Sequence, residues 1–304
     1  MNASLQGVLP VVQTPFDEED RIDWDTLHEE VDWVLGHGAQ GVCAAMVSEW
    51  LRLSSAERLR YMRELVQAVG GRGAVVVSVG AESTREAIDY AQAAQGCGCQ
   101  AVMAIPPVSQ RLPEEETLRY FSALAQAVEL PLIVQDASSY VGTPLSIELM
   151  KELLARFGPE KILFKPEAAP LGPNVSLLRD ATGGQARIFD GSGGIALVDT
   201  FRRGIAGTMP GAEVPWAVVA LWEALCRGEE EKIYRLSLPL GALVALQMQA
   251  GLDGFLQVEK YLLVKQGVFS SARCRRPVAW QLDEETRAEV DRLFALLQQA
   301  AEEA

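Results

Sequence analysis

Short apolar runs alternate with longer amphipathic stretches through the first two thirds of the chain. The runs are VLPVV at 8–12, GVCAAM at 41–46, AVVVSV at 74–79, AVMAI at 101–105, LIV at 132–134, ILF at 162–164, RIF at 187–189 and GIAGTM at 204–209. Rich in β-branched residues and only a few positions long, they read as buried strands. The stretches between them carry helical spacing. SSAERLRYMRELVQAVG opens on a serine capping signal, places an acid in its first turn and ends in glycine. PEEETLRYFSALAQAV sets Leu118, Phe121, Leu124 and Val128 on one stripe, as a helix covering a sheet requires. TREAIDYAQAAQGCG and PLSIELMKELLARFG follow the same pattern.

Eight strand–helix units joined by right-handed crossovers predict an α/β fold, a closed (β/α)8 TIM barrel over residues 1–212. An open doubly wound sheet is the competitor. The strand count and the lack of a G-x-G-x-x-G turn after the first strand favour the barrel. From 213 the pattern turns helical, with VPWAVVALWEAL, EEEKIYRLSLPLGALVALQMQ, FLQVEKYLLVKQG and DEETRAEVDRLFALLQQA. Residues 213–304 are therefore expected to form a C-terminal helical subdomain.

Barrels of this kind place their chemistry at the carboxyl ends of the strands. The residues finishing the runs are Gln13 and Thr14, then Val47, Ser48 and Glu49, then Gln135 and Asp136, then Lys165 and Glu167, then Asp190 to Gly193. Lys165 is the informative one, because lysine is rarely buried without a reason. In a walled mouth, desolvation favours the neutral amine, the form that attacks a carbonyl. The alternative is a structural lysine paired with Glu167 or Asp190. DGSGG at 190–194 is either a docking place for a carboxylate, a phosphate or sugar hydroxyls at Gly191 and Ser192, or a tight turn that needs glycine.

Composition narrows the partners. A net charge of −14 disfavours nucleic acid and anionic membrane, both of which reward clustered Lys and Arg. Five cysteines without a metal-type spacing and only two histidines argue against a metal site, and no cofactor is expected. With neither a signal peptide nor a membrane-length apolar run, a cytoplasmic location is expected.

Several landmarks together carry a resemblance: TPF at 14–16, SEWLRLSSAER at 48–58, the strand-end Lys165, GIAGTMPG at 204–211 and RRP at 275–277. In this order and spacing the chain resembles the dihydrodipicolinate synthase and N-acetylneuraminate lyase superfamily of class I Schiff-base lyases. The resemblance implies that Lys165 forms an imine with the ketone of a small-molecule 2-oxo acid, in a homodimer or homotetramer. It also exposes departures. The loop after the second strand, typically G-T/S-T-G-E and used to bind the substrate carboxylate, is here AMVSE at 45–49. The fifth-strand tyrosine of Y-N-x-P is replaced by Gln135 in LIVQDASS. Both departures resemble the L-2-keto-3-deoxyarabonate dehydratase-like branch, although Ser139, Tyr140 and Pro166 differ from it.

An imine at C2 acidifies the C3 protons, so loss of a C4 hydroxyl gives a dehydratase. Deprotonation of that hydroxyl instead breaks C3–C4 and gives an aldolase cleaving to pyruvate. Glutamine cannot supply acid–base chemistry, so Ser48, through a water, and Tyr140 are the candidate proton carriers. Val47, Gln135 and Asp136 are candidate substrate contacts, with Asp136 equally suited to capping the next turn. Glu49 is expected to pin its loop. A barrel that has lost catalysis and only binds 2-oxo acids is the competing functional class.

Overall fold

In the computed structural model, which describes residues 5–138 and 141–303, all eight runs become strands, each pairing in parallel. They are β1 (Gly7–Val8), β2 (Gly41–Ala44), β3 (Ala74–Ser78), β4 (Ala101–Ala104), β5 (Leu132–Asp136), β6 (Ile162–Pro166), β7 (Phe189–Asp190) and β8 (Gly207–Thr208). β2 to β6 form one ladder in chain order, and β7, β8 and β1 form another. Single bridges, Val11 with Cys43 and Phe164 with Ile188, join the two ladders. The sheet therefore closes on itself as a (β/α)8 barrel.

Helices α1 (Trp24–Gly36), α2 (Ser55–Val69), α3 (Thr84–Cys97), α4 (Glu114–Ala127), α5 (Ile147–Phe157), α6 (Leu171–Ala181), α7 (Leu197–Arg202) and α8 (Pro215–Arg227) follow the strands in turn. The capping signal before α2 closes as a box: Ser54 Oγ accepts the Glu57 N–H at 3.3 Å, and Glu57 accepts the Ser54 N–H at 2.8 Å. Gly70 ends the helix in the left-handed conformation that glycine adopts without strain.

The strand period of two sorts side chains into two cores. On β3, Val76 points into the barrel with Cys43, Met103, Ile133, Leu163 and Phe189, while Val75 and Val77 pack outward under the helices. A filled interior leaves only the rim for chemistry.

α8 packs against β1 and serves as the eighth barrel helix. It lies within the stretch 213–304 expected as the helical subdomain. The extension is α9 (Glu230–Met248), α10 (Gly251–Lys265) and α11 (Glu284–Glu302), of which α9 packs on α8, α10 and α11. α10 also reaches the turn after β2, which brings the tail to the end of the barrel where the strands' carboxyl ends lie. Among the described residues no helix is long and apolar enough to cross a membrane.

Candidate active site

β6 carries Lys165 out of the apolar run Ile162–Phe164, and β5 carries Gln135 beside it, the two being register partners. Lys165 is only 4% exposed. Its Nζ donates to Glu167 Oε1 at 2.8 Å, and the other oxygen of Glu167 accepts from Gln135 Nε2 at 2.7 Å. Residues two apart on a strand share a face, so Lys165 and Glu167 both point into the mouth. Burial raises the Glu167 carboxyl above its ordinary value, and the neighbouring Lys165 pulls it part of the way back. Gly191 completes the contact: a Cβ there would lie 2.5 Å from Glu167 Oε1 and 2.8 Å from Lys165 Nζ. A larger residue after β7 would displace the Lys165–Glu167 pair.

Beneath the lysine sits Cys43, whose thiol burial pushes up to about 12, so it stays neutral. Above it lies a cavity of about 380 Å³ counting its open mouth, walled by Ala45 to Val47, Gln135, Lys165, Glu167, Gly191, Phe255 and Glu259, among others. Phe255 and Glu259 come from α10, so the tail is part of the site.

The loop after β2 is held by a second buried lysine. Lys260 Nζ donates to the Thr14 carbonyl at 2.7 Å, to the Arg273 carbonyl at 2.8 Å and to Glu49 Oε1, and lies 4.6 Å from the centre of the Phe16 ring. Glu49 also accepts from the Arg275 N–H and from Arg52. Its backbone has φ 54°, a left-handed conformation that costs a non-glycine residue about 1–2 kcal/mol. The buried ion pair holds it there. Arg275 stacks on the other side of this corner, 4.4 Å from the Phe16 ring centre, and meets Glu57 through two hydrogen bonds of 2.9 Å.

Next to Lys260 lie three fully buried acids. Glu30 accepts the Gln13 N–H at 2.9 Å, Glu259 accepts from the Gln13 side chain, and Glu213 accepts from Gln247 at 2.7 Å. Burial raises Glu213, and raises Glu30 and Glu259 well above the ordinary carboxylate value. Mutual repulsion adds to the shift at Glu259. Oε2 of Glu30 and Oε2 of Glu213 have no hydrogen-bond partner among the described residues, as protonated carboxyls tolerate better than carboxylates.

The Dihydrodipicolinate synthetase family matches residues 4–297. The chain belongs to this family. It is 30% identical to the L-2-keto-3-deoxyarabonate dehydratase of Azospirillum brasilense over 294 residues, covering 94% of this chain and 92% of that protein. It is 27% identical to the 4-hydroxy-tetrahydrodipicolinate synthase of Bartonella quintana, covering 94% and 96%. The solved 4-hydroxy-tetrahydrodipicolinate synthase of Methylacidiphilum fumariolicum SolV superposes with a TM-score of 0.88 at 21% identity, over 99% of this chain and 98% of that one. The Acinetobacter baumannii dihydrodipicolinate synthase, solved with pyruvate, gives 0.87 at 22% identity over 97% and 99%.

For a member of the dihydrodipicolinate synthetase family, the landmarks divide sharply between site and scaffold. Lys165, Gln135, Gly191 and Val47 meet around the cavity. The Ser48 hydroxyl donates to the Val12 carbonyl at 2.5 Å and accepts the Ala45 N–H, which fastens the loop to the first strand's continuation. Asp136 accepts the N–H groups of Ser138 and Leu145, so it caps its turn. Ser192 is engaged with Asp190 and with the Ala196 N–H. Asp190, the alternative partner for the lysine, instead holds Ser192 and Thr200. Tyr140 lies outside the described residues. The ion pair weighed against a working lysine is present, with Glu167. The residues that periodicity missed are Phe255 and Glu259. Their one signal is the charged pair Glu259–Lys260, flanked by apolar residues on both sides within FLQVEKYLLVK.

Proposed function

We propose that this chain is a Schiff-base lyase in which the Lys165 amine attacks the ketone of a 2-oxo acid, and that it dehydrates a 2-keto-3-deoxy acid. Sugar acids of the L-2-keto-3-deoxyarabonate kind are the first compounds to try. The observation that carries the reading is the chain Lys165–Glu167–Gln135, buried at one rim of a cavity with the lysine held by a carboxyl of raised basicity.

That pair solves two problems at once. Transfer of one proton from Nζ to Glu167 leaves a neutral amine and a neutral carboxyl, with no isolated charge in a desolvated site. The amine adds to C2, and the Glu167 acid protonates the carbinolamine oxygen so that water departs and the iminium forms. The Glu167 carboxylate then removes a C3 proton while the electrons move to nitrogen. The resulting enamine expels the C4 hydroxyl, which takes that proton from Glu167 and leaves as water. Hydrolysis of the imine releases an unsaturated 2-oxo acid. In this account Glu167 takes the proton-carrying part expected of Ser48 and Tyr140. Gln135 fixes the Glu167 carboxyl, and the backbone of Ala45 to Val47 receives the substrate carboxylate. A cytoplasmic homodimer or homotetramer, needing no cofactor, completes the proposal.

The test is product analysis by NMR with a panel of 2-keto-3-deoxy acids. Dehydrated 2-oxo acids support the reading. Pyruvate plus an aldehyde assigns the chain to retro-aldol cleavage instead, and no turnover of any member assigns it to the binding-only class.

A further inference from the structure

The lysine cavity has a neighbour of opposite character. A second chamber, about 760 Å³ counting its mouth, is bounded by Ala169 and Leu171 after β6, Ile195 and Ala196 after β7, and Met248 and Phe255 from the tail. Glu167, Gly191 and Phe255 line both spaces. At Gly191 there is no side chain to part them, and a Cβ there would displace the ends of the Lys165 and Glu167 side chains. A ligand on the lysine thus has one continuous way outward, past Glu167 and Gly191.

The polar side chains along that way are already engaged. Both oxygens of Glu167 are taken, by Lys165 and Gln135. The Ser192 hydroxyl donates to Asp190 at 2.7 Å and accepts the Ala196 N–H at 3.0 Å. The other lining side chains named above offer no hydrogen bond at all. A hydroxylated arm would enter at the cost of its water without an uncommitted side chain to replace it. Ile195 and Met248, at 43% and 49% exposed, add two large apolar side chains to the chamber wall.

We propose that the chain of the substrate beyond C4 lies in this chamber, and that the preferred substrates are 4-hydroxy-2-oxo acids with a plain alkyl or aryl arm rather than a polyhydroxylated one. The proposal rests on the imine at Lys165 and narrows the 2-keto-3-deoxy acids to those with an apolar far end. In an apolar chamber each added methylene is worth about fourfold in kcat/KM until the space is filled. A hydroxyl without a partner costs about a hundredfold at most.

The test uses the full chain and four compounds sharing C1 to C4, with methyl, propyl, phenyl or polyhydroxyalkyl arms. Expected is a rise in kcat/KM from methyl to propyl to phenyl, with the polyhydroxylated compound at least tenfold below phenyl. Ile195→Glu should reduce the phenyl-to-polyhydroxy ratio at least tenfold while the thermal midpoint stays put, because the side chain is half exposed. A flat or reversed ranking, or an unchanged ratio in Ile195→Glu, overturns the chamber as the distal subsite. Borohydride trapping of pyruvate on the wild-type chain is run in parallel. A trapped adduct with a flat ranking defeats the chamber alone, whereas absence of any adduct defeats the lysine reading on which it stands.

Discussion

Two buried lysines lie at the same end of this barrel and do different work. Lys260 is fully buried, and its three N–H bonds are met by the Thr14 carbonyl, the Arg273 carbonyl and Glu49. Lys165 is nearly as buried, yet among the described residues its single hydrogen-bond partner is Glu167, and the rest of the amine faces a cavity. The first lysine is a strut, binding the tail to the loop after β2. The second has donor capacity and space in reserve. Burial of a charge alone therefore does not separate the two lysines; unspent donor capacity beside a cavity does.

The comparison breaks most visibly at Lys165. Lys165→Arg keeps the charge and the ion pair but removes the amine that the proposed mechanism uses as its nucleophile. Turnover of a 2-keto-3-deoxy acid should fall at least about 10⁴-fold, with the urea midpoint little changed. Lys260→Met should do the reverse. It removes one of the two cations from the buried Glu49 carboxylate, which keeps Arg52 and the Arg275 N–H, so urea denaturation should show a loss of about 3 kcal/mol, and imine formation at Lys165 should survive at temperatures where the chain is folded.

Glu167→Gln sharpens the account of the proton. Because the amide cannot shuttle one, kcat should drop about 10²–10⁴-fold. The low-pH limb of the kcat profile, set by a carboxyl held above its ordinary value, should disappear with it. A pH profile unchanged in shape would assign the proton to another group.

The smallest effect concerns the acids around Lys260. Glu30, Glu213 and Glu259 bind protons more tightly folded than unfolded. Their contribution to stability is complete below the ordinary carboxylate range and is lost as pH rises toward their folded values. Stability should fall with rising pH above that range, by up to about 1.4 kcal/mol per pH unit for each group titrating. Thermal melts of Glu259→Gln across the same range should slope less steeply than wild type.

The sequence disclosed the scaffold well because strands buried on both faces and helices striped on one face have different periods. All eight apolar runs became strands, down to β7 and β8, which are two residues long. Lys165 was legible because it terminates such a run. Ser48, Asp136 and Ser192 also terminate runs, but hydroxyls and carboxylates at strand ends serve as readily to tie turns as to touch substrate, and here their side chains do the former. Residue type and position do not separate these uses; hydrogen-bond partners do. α10 hid its part for a different reason. A helix packed on most sides shows no single apolar stripe, so apart from their charge nothing in the pattern marks Glu259 and Lys260 as the buried residues they are. The left-handed Glu49 was illegible as well, since its conformation is fixed by residues more than 200 positions away.

The most direct measurement is to incubate the folded chain with pyruvate, reduce with borohydride and map the modified peptide by mass spectrometry. The account predicts one adduct, on Lys165 and not on Lys260, absent in Lys165→Arg and unaffected by omission of metal ions. An adduct on any other lysine, or none with pyruvate and several other 2-oxo acids, would contradict it.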